Sequence, residues 1–201
     1  MEQRFARALD TIPNLLEDAS FALQVPISFA LIGGLAVSAW GAVRATQDID
    51  FLADSNPSPL RDLNVRANLK RFLDKRGCAA EWHVGGADDP VPLLLRMQLP
   101  RSLRPLGADI LWAHKRWQRE ALRRRVAVEV ARLKVFVLHP EDLVLMKLEA
   151  GGPQDLLDVQ NLLSNPPPEL DQTRLKRKAT QLRLGVSLES CARQSGTNRR
   201  T

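Results

Sequence analysis

The chain has 201 residues, 44% of them hydrophobic, and a formal net charge of +6, which suits one apolar core with at most a small appendage. No apolar run reaches the roughly 18 residues a membrane-spanning helix needs. Residues 1–10 carry Glu2, Arg4, Arg7 and Asp10 where a secretory leader would be apolar, so the expectation is a cytoplasmic protein with no membrane partner.

In chain order, residues 2–24 read as an amphipathic helix or two, interrupted at Pro13, with Phe5, Leu9, Ile12, Leu15, Leu16 and Leu23 on one stripe. Pro26 marks a boundary. Residues 27–32 read as a short buried strand, Gly33-Gly34 as a turn, 35–41 as a helix and 48–52 as a second strand. Residues 55–59 form a Pro/Ser loop. Residues 60–75 have helical spacing through Leu63, Leu69, Phe72 and Leu73, closed by Gly77. Strands at 81–84 and 93–99 pair across the turn at 85–90, and 108–112 is another strand. Residues 126–130 and 135–138 read as a hairpin or two edge strands. His139-Pro140-Glu141-Asp142 opens a helix that runs to about 150. Gly151-Gly152-Pro153 breaks it, and a second helix covers 154–163. Pro166-Pro167-Pro168 ends the main domain, placed at 1–165, and 166–201 is a linker with a basic, partly helical tail. This order gives an α/β or α+β fold: a mixed sheet flanked by helices, with a small helical part at the C-terminal end.

The charge is unevenly spread. Residues 114–134 hold eight Lys/Arg against Glu120 and Glu129, and residues 171–201 hold eight against Asp171 and Glu189. The rest of the chain is therefore net acidic. Two basic segments on an acidic body suit a polyanion such as RNA, or they are solubilising surface; the charge alone leaves both readings open. Cys78 and Cys191 form no CxxC, and His83, His114 and His139 have no metal-like spacing. A Cys/His zinc centre is therefore disfavoured, and any metal would be held by carboxylates, which points to Mg2+ or Mn2+.

Chemistry concentrates between Leu31 and Leu52. Asp48 and Asp50 sit two apart on a strand and face one side. Carboxylates that close repel unless a cation lies between them, and a pair of divalent cations serves that purpose in phosphoryl transfer. Gly33-Gly34, between strand and helix, lets a backbone approach phosphate. Neither GxxxxGK[ST] nor GxGxxG is present. Asp-x-Asp alone is common at strand ends and Gly-Gly alone is usually a turn; joined in one strand–helix–strand unit, they are more specific. Ser38 reads as a packing residue, and Trp40, Trp112 and Trp117 read as core or edge packing before base stacking.

Gly33-Gly34, Arg44-x-Thr46 and Asp48-Ile49-Asp50-Phe51-Leu52 resemble the signature of minimal nucleotidyltransferases of the polymerase-beta superfamily. The run from Val137 to Lys147, then Ala150-Gly151, then Gln154-Asp155 through Asp158-Val159, resembles the C-terminal signature of that family, above all its abortive-infection toxin branch. The likeness spans about residues 27–163. It implies that Asp48 and Asp50 hold Mg2+ (or Mn2+). It also implies a third carboxylate on a neighbouring strand, for which Asp109 fits best and Asp88 and Asp89, in an apparent turn, are rivals. Gly33, Gly34 and Lys147 would hold the triphosphate, Arg44 and Thr46 would line or brace the nucleotide pocket, and Asp155 would support the substrate site, through Lys147. Asp158 reads as a solvent-facing residue. The implied activity moves a nucleoside monophosphate from an NTP to an acceptor hydroxyl. The acceptor stays open: RNA (a tRNA 3′ end) for a toxin with a cognate antitoxin, a protein, or a small molecule. A non-catalytic RNA-binding module on the same fold is the reading from another class.

Overall fold

The computed structural model describes residues 2–42, 46, 48–86, 91–99 and 107–197. Its first helix, α1 (Glu2–Leu23), runs without a break through Pro13, against the expected interruption. Proline inside a helix costs about 3 kcal/mol. The stripe of Ala8, Leu9, Ile12, Leu15, Leu16 and Ala19 is buried, and each large side chain of such a stripe contributes about 1.5–3 kcal/mol. Packing outweighs the proline.

Seven strands follow: β1 (Ile27–Ile32), β2 (Ile49–Ser55), β3 (Ala79–Val84), β4 (Leu93–Gln98), β5 (Gly107–Trp112), β6 (Val126–Val130) and β7 (Leu133–Val137). They form one mixed sheet in the order β3-β4-β5-β2-β1-β7-β6. β2 is parallel to β5 and β1 to β7, and the other neighbours are antiparallel. The β6–β7 hairpin turns through Ala131 and Arg132, both at positive φ (51° and 65°), the backbone twist that two-residue hairpin turns need.

The strand registers separate two faces. Phe51 lies opposite Leu31 on β1 and Ile110 on β5, and Ile110 lies opposite Leu95 on β4. All four are fully buried. Helix α3 (Leu63–Lys75) covers this face beside α1, and Trp82 on β3 donates its indole N–H to the Arg66 carbonyl at 3.0 Å. Asp62 caps α3, its carboxylate accepting from the Asn64 and Val65 amides. On the opposite face the β3–β4 end is open: Glu81, His83, Arg96 and Gln98 are exposed.

Helix α2 (Gly33–Ala39) starts two residues earlier than the sequence suggests, so the two glycines are its first residues. Trp40 anchors its end, donating to the Leu138 carbonyl at 2.9 Å in the core. Helix α4 (Arg116–Arg123) was not foreseen, because its basic residues mask a short apolar stripe. Trp117, Ala121 and Leu122 are buried, and the Gln118 side chain accepts from the His114 and Lys115 amides at 3.0 and 3.1 Å.

Helices α5 (Pro140–Ala150), α6 (Pro153–Ser164), α7 (Gln172–Gln181) and α8 (Gly185–Thr197) complete the fold. Leu175, Ala179, Leu188 and Cys191 of the last two are buried in the shared core. Arg124 bridges α4 to α5, 2.5 Å from Glu141 and 2.7 Å from Asp142, and Arg174 of α7 approaches the same two acids at 3.6 and 3.9 Å. Part of the basic charge is thus internal cement between helices. Burial pushes the Asp142 carboxyl above the usual carboxylate range, with Arg124 and Arg174 acting against that shift.

Candidate active site

The register of β2 and β5 sets the site. Asp50 lies directly opposite Asp109 on the adjacent parallel strand, so both carboxylates project from the same face, the one that α3 leaves uncovered. Asp48, two residues before Asp50, shares that face by the alternation of a strand. Asp48 is exposed, whereas Asp50 and Asp109 are half-buried. Asp48 and Asp109, with Arg96, Gln98 and Gly107, line an open cleft of about 400 Å³.

Asp50 has a tailored neighbour. Its strand partner on β1 is Ile32, the residue before Gly33. Gly33 has φ of +65°, and a Cβ there would lie 2.0 Å from Asp50 Oδ2. The carboxylate occupies the space that any side chain at position 33 would fill. The two halves of the sequence motif are therefore physically joined: the glycine is needed because the aspartate is there.

Asp109 is engaged by a residue that sequence reading passed over. Arg96 faces it across the β4–β5 ladder and donates two bonds, Nε to Oδ1 at 2.9 Å and Nη2 to Oδ2 at 2.8 Å. This forked pair, with Asp48 and Glu81 nearby, raises the already high proton affinity of the guanidinium. Arg96 stands in a plain alternating strand, Leu-Leu-Leu-Arg-Met-Gln. The only signal in the sequence was a charge in an otherwise mostly apolar run, which becomes legible once the register is known.

The donor set suits a hard divalent cation: all-oxygen, anionic and on one face. The Asp50 carboxylate seated against Gly33 fits a ligand held rigidly from behind. Among the described residues, however, no three metal-capable side chains stand together as a cluster. Asp109 is held instead by the Arg96 fork.

Other expected site residues fall elsewhere. Thr46 Oγ1 donates to the Asp48 carbonyl at 3.3 Å and so braces the chain entering β2. Lys147 is buried between α5 and α6, its Nζ 2.7 Å from Asp155 and 2.9 Å from Asp158. Asp158, read as solvent-facing, is 0% exposed and also accepts from Gln154 at 3.2 Å. Arg44, Asp88 and Asp89 lie outside the described residues. Ser38 bonds back to the Gly34 carbonyl at 3.1 Å, and Trp40, Trp112 and Trp117 are buried. Cys78 and Cys191 are buried free thiols with proton affinity raised chiefly by that burial, as expected of inert cysteines.

No family model matches the chain, and no curated protein matches it in sequence. Among solved structures it is similar to an antigenic nucleotidyltransferase-like protein from Paracoccidioides brasiliensis, with 17% identity, a TM-score of 0.48 and 92% of each chain covered. It is also similar to a putative nucleotidyltransferase from Thermotoga maritima, at 13% identity and a TM-score of 0.49, covering 80% of this chain and 93% of that one. A third is ANT(2'')-Ia in complex with adenylyl-2''-tobramycin, at 14% identity and a TM-score of 0.46, covering 92% and 98%.

Proposed function

We propose that the chain is a nucleotidyltransferase that moves a nucleoside monophosphate from an NTP to an acceptor hydroxyl and releases pyrophosphate. The observation that carries this reading is the cross-strand pair Asp50–Asp109, with Asp48 on the same open face. Asp48 and Asp50 would hold Mg2+ or Mn2+, and Asp109 would join them. A bound divalent ion neutralises phosphate charge and lowers the pKa of the attacking hydroxyl. Gly33 leaves room for the Asp50 carboxylate, and Thr46 braces the approach to β2. The Lys147–Asp155–Asp158 cluster sets α5 against α6. Within this reading Lys147 faces the triphosphate only if one of its two carboxylate partners yields; otherwise it is a positioning residue.

The acceptor proposed is RNA, a tRNA 3′ end, in the manner of a toxin held in check by an antitoxin. Basic side chains on the outside of α4 and α7 support this, since they offer sequence-independent phosphate contacts. The Arg96–Asp109 pair favours one second reading, a non-catalytic RNA-binding module, because there an arginine takes the place of the ion.

The test is to incubate the protein with Mg2+, each α-labelled NTP in turn and total tRNA, with Asp50→Ala beside it. Label entering RNA only with Asp50 intact supports the proposal and reads out the base. Label on a protein band redirects the acceptor to protein. RNA binding by both proteins with no label anywhere overturns the catalytic reading in favour of the binding module.

A further inference from the structure

The C-terminal end of β2 borders a second pocket, at the other end of the strand from Asp48. Asp54, Ser55, Ser58 and Arg61 from β2 and its following loop, with His114, Arg119 and Arg123, line a pocket of about 450 Å³. Asp54 lies four residue steps along the strand from Asp50, roughly 13 Å, and points to the same side of the sheet as Asp50. The region of α4 packs there: Ala113, just before it, donates its amide to the Ala53 carbonyl at 2.8 Å.

The pocket has a charge surplus. Three arginines line it from two elements, Arg61 from the loop and Arg119 and Arg123 from successive turns of α4. Among the described residues, Arg61 and Arg123 make no ion pair within 4 Å, and Arg119 donates only to the Ala113 carbonyl, at 3.4 Å. Their neighbours on α4 contrast with them. Arg116 pairs with Glu120, and Arg124 with Glu141 and Asp142. Like charges four apart on a helix repel, so Arg119 and Arg123 on one face, joined by Arg61, call for a counter-charge. Asp54 supplies a single carboxylate. Burial and then Lys115 push the proton affinity of His114 down, which disfavours a further cation there.

We propose that this pocket binds a phosphate group of a phosphorylated ligand, gripped by Arg61, Arg119 and Arg123. Guanidinium forks match phosphate oxygens in pairs, and a tetrahedral anion can accept from several directions at once, as the loop and the helix offer. A pocket of this volume also takes more than a lone ion. Asp54 is then a neighbouring negative charge that opposes the ligand without pairing with the arginines. The site does not involve Asp48, Asp50 or Asp109, so it stands or falls apart from the proposed transfer reaction.

The experiment titrates the full-length protein with inorganic phosphate, adenosine 5′-monophosphate and a fluorescent single-stranded RNA 12-mer at low salt, using calorimetry and anisotropy. Wild type is compared with Arg61→Gln/Arg123→Gln and with Asp54→Asn. The double variant should weaken phosphate at least tenfold, and Asp54→Asn should tighten it several-fold. The opposite signs separate a site from a folding defect, because unfolding loses binding in both. If the RNA loses affinity in the double variant, with a salt slope smaller by about 1.4 for two lost contacts, the phosphate is that of a nucleic-acid backbone. If only the small ligands respond, it belongs to a free phosphorylated molecule. Undiminished phosphate affinity in a folded double variant, or no saturable binding of any of the three by wild type, overturns the proposal.

Discussion

Gly33 and Asp50 form a lock: a Cβ on Gly33 would stand 2.0 Å from Asp50 Oδ2, and Gly33 holds a φ of +65°. Two separate costs follow for Gly33→Ala. One is conformational, about 1–2 kcal/mol for a left-handed residue with a side chain. The other is displacement of the Asp50 carboxylate. The variant should lose stability in urea titration and should lose nucleotide labelling as fully as Asp50→Ala. In an Asp50→Gly background the stability cost of Gly33→Ala should shrink to the conformational part. Equal costs in both backgrounds would show that the carboxylate and the glycine do not meet.

Lys147 should prove more a clamp than its place in the sequence suggests. Asp158 is fully buried and Asp155 retains about a quarter of its side-chain exposure. Removing one partner of a buried ion pair costs about 3–5 kcal/mol, whereas an exposed pair is worth about 0–1 kcal/mol. Asp158→Ala should therefore destabilise the protein by about 3 kcal/mol and Asp155→Ala by much less, both read from urea midpoints. Comparable losses would place the two acids in similar surroundings.

The sequence made the architecture legible wherever period and punctuation agreed. The strands at 27–32, 93–98 and 107–112 and the helices at 140–150 and 153–164 stand within a residue or two of their expected bounds, because alternation, Pro and Gly all mark them. Helix α4 was hidden, since its apolar residues are only Trp117, Ala121 and Leu122 among arginines. The site was legible in part. Asp48 and Asp50 announce themselves through spacing, and the face they share with Asp109 follows from register. Register is a long-range property. No local pattern reveals that Arg96, 13 residues before Asp109 in the chain, is its partner, or that Asp158 turns inward to meet Lys147.

His114 should give the fold a pH dependence. Burial, and then Lys115, lower its proton affinity in the native state below that of an ordinary imidazole. The unfolded chain therefore binds the proton more readily, and stability rises with pH wherever that holds. The contribution of His114 is fully present above about pH 6.5 and is lost as pH falls through the lower native value. Melting temperatures across this acid window should fall more steeply for wild type than for His114→Gln. Parallel curves would mean that the imidazole is solvated in the folded protein.

Arg96 offers the sharpest test of what the open face is for. Its guanidinium holds both oxygens of Asp109, so an ion that needs Asp109 has to displace it. Competition for one carboxylate has a definite sign. Replacing the arginine by a neutral side chain frees the ligand and removes a positive charge from beside Asp48, and both effects favour a cation. Arg96→Gln should therefore tighten Mn2+ several-fold, measured by the loss of the free-ion signal in electron paramagnetic resonance. In an Asp109→Asn background the part of that gain that comes from freeing the ligand should vanish, leaving only the smaller part from the lost positive charge. If Arg96→Gln leaves Mn2+ affinity unchanged, Asp109 is no metal ligand, and the forked pair is a permanent brace between β4 and β5. If Mn2+ tightens but nucleotide labelling falls, Arg96 serves both states: it grips Asp109 while the ion is away and turns to the substrate phosphates once the ion displaces it.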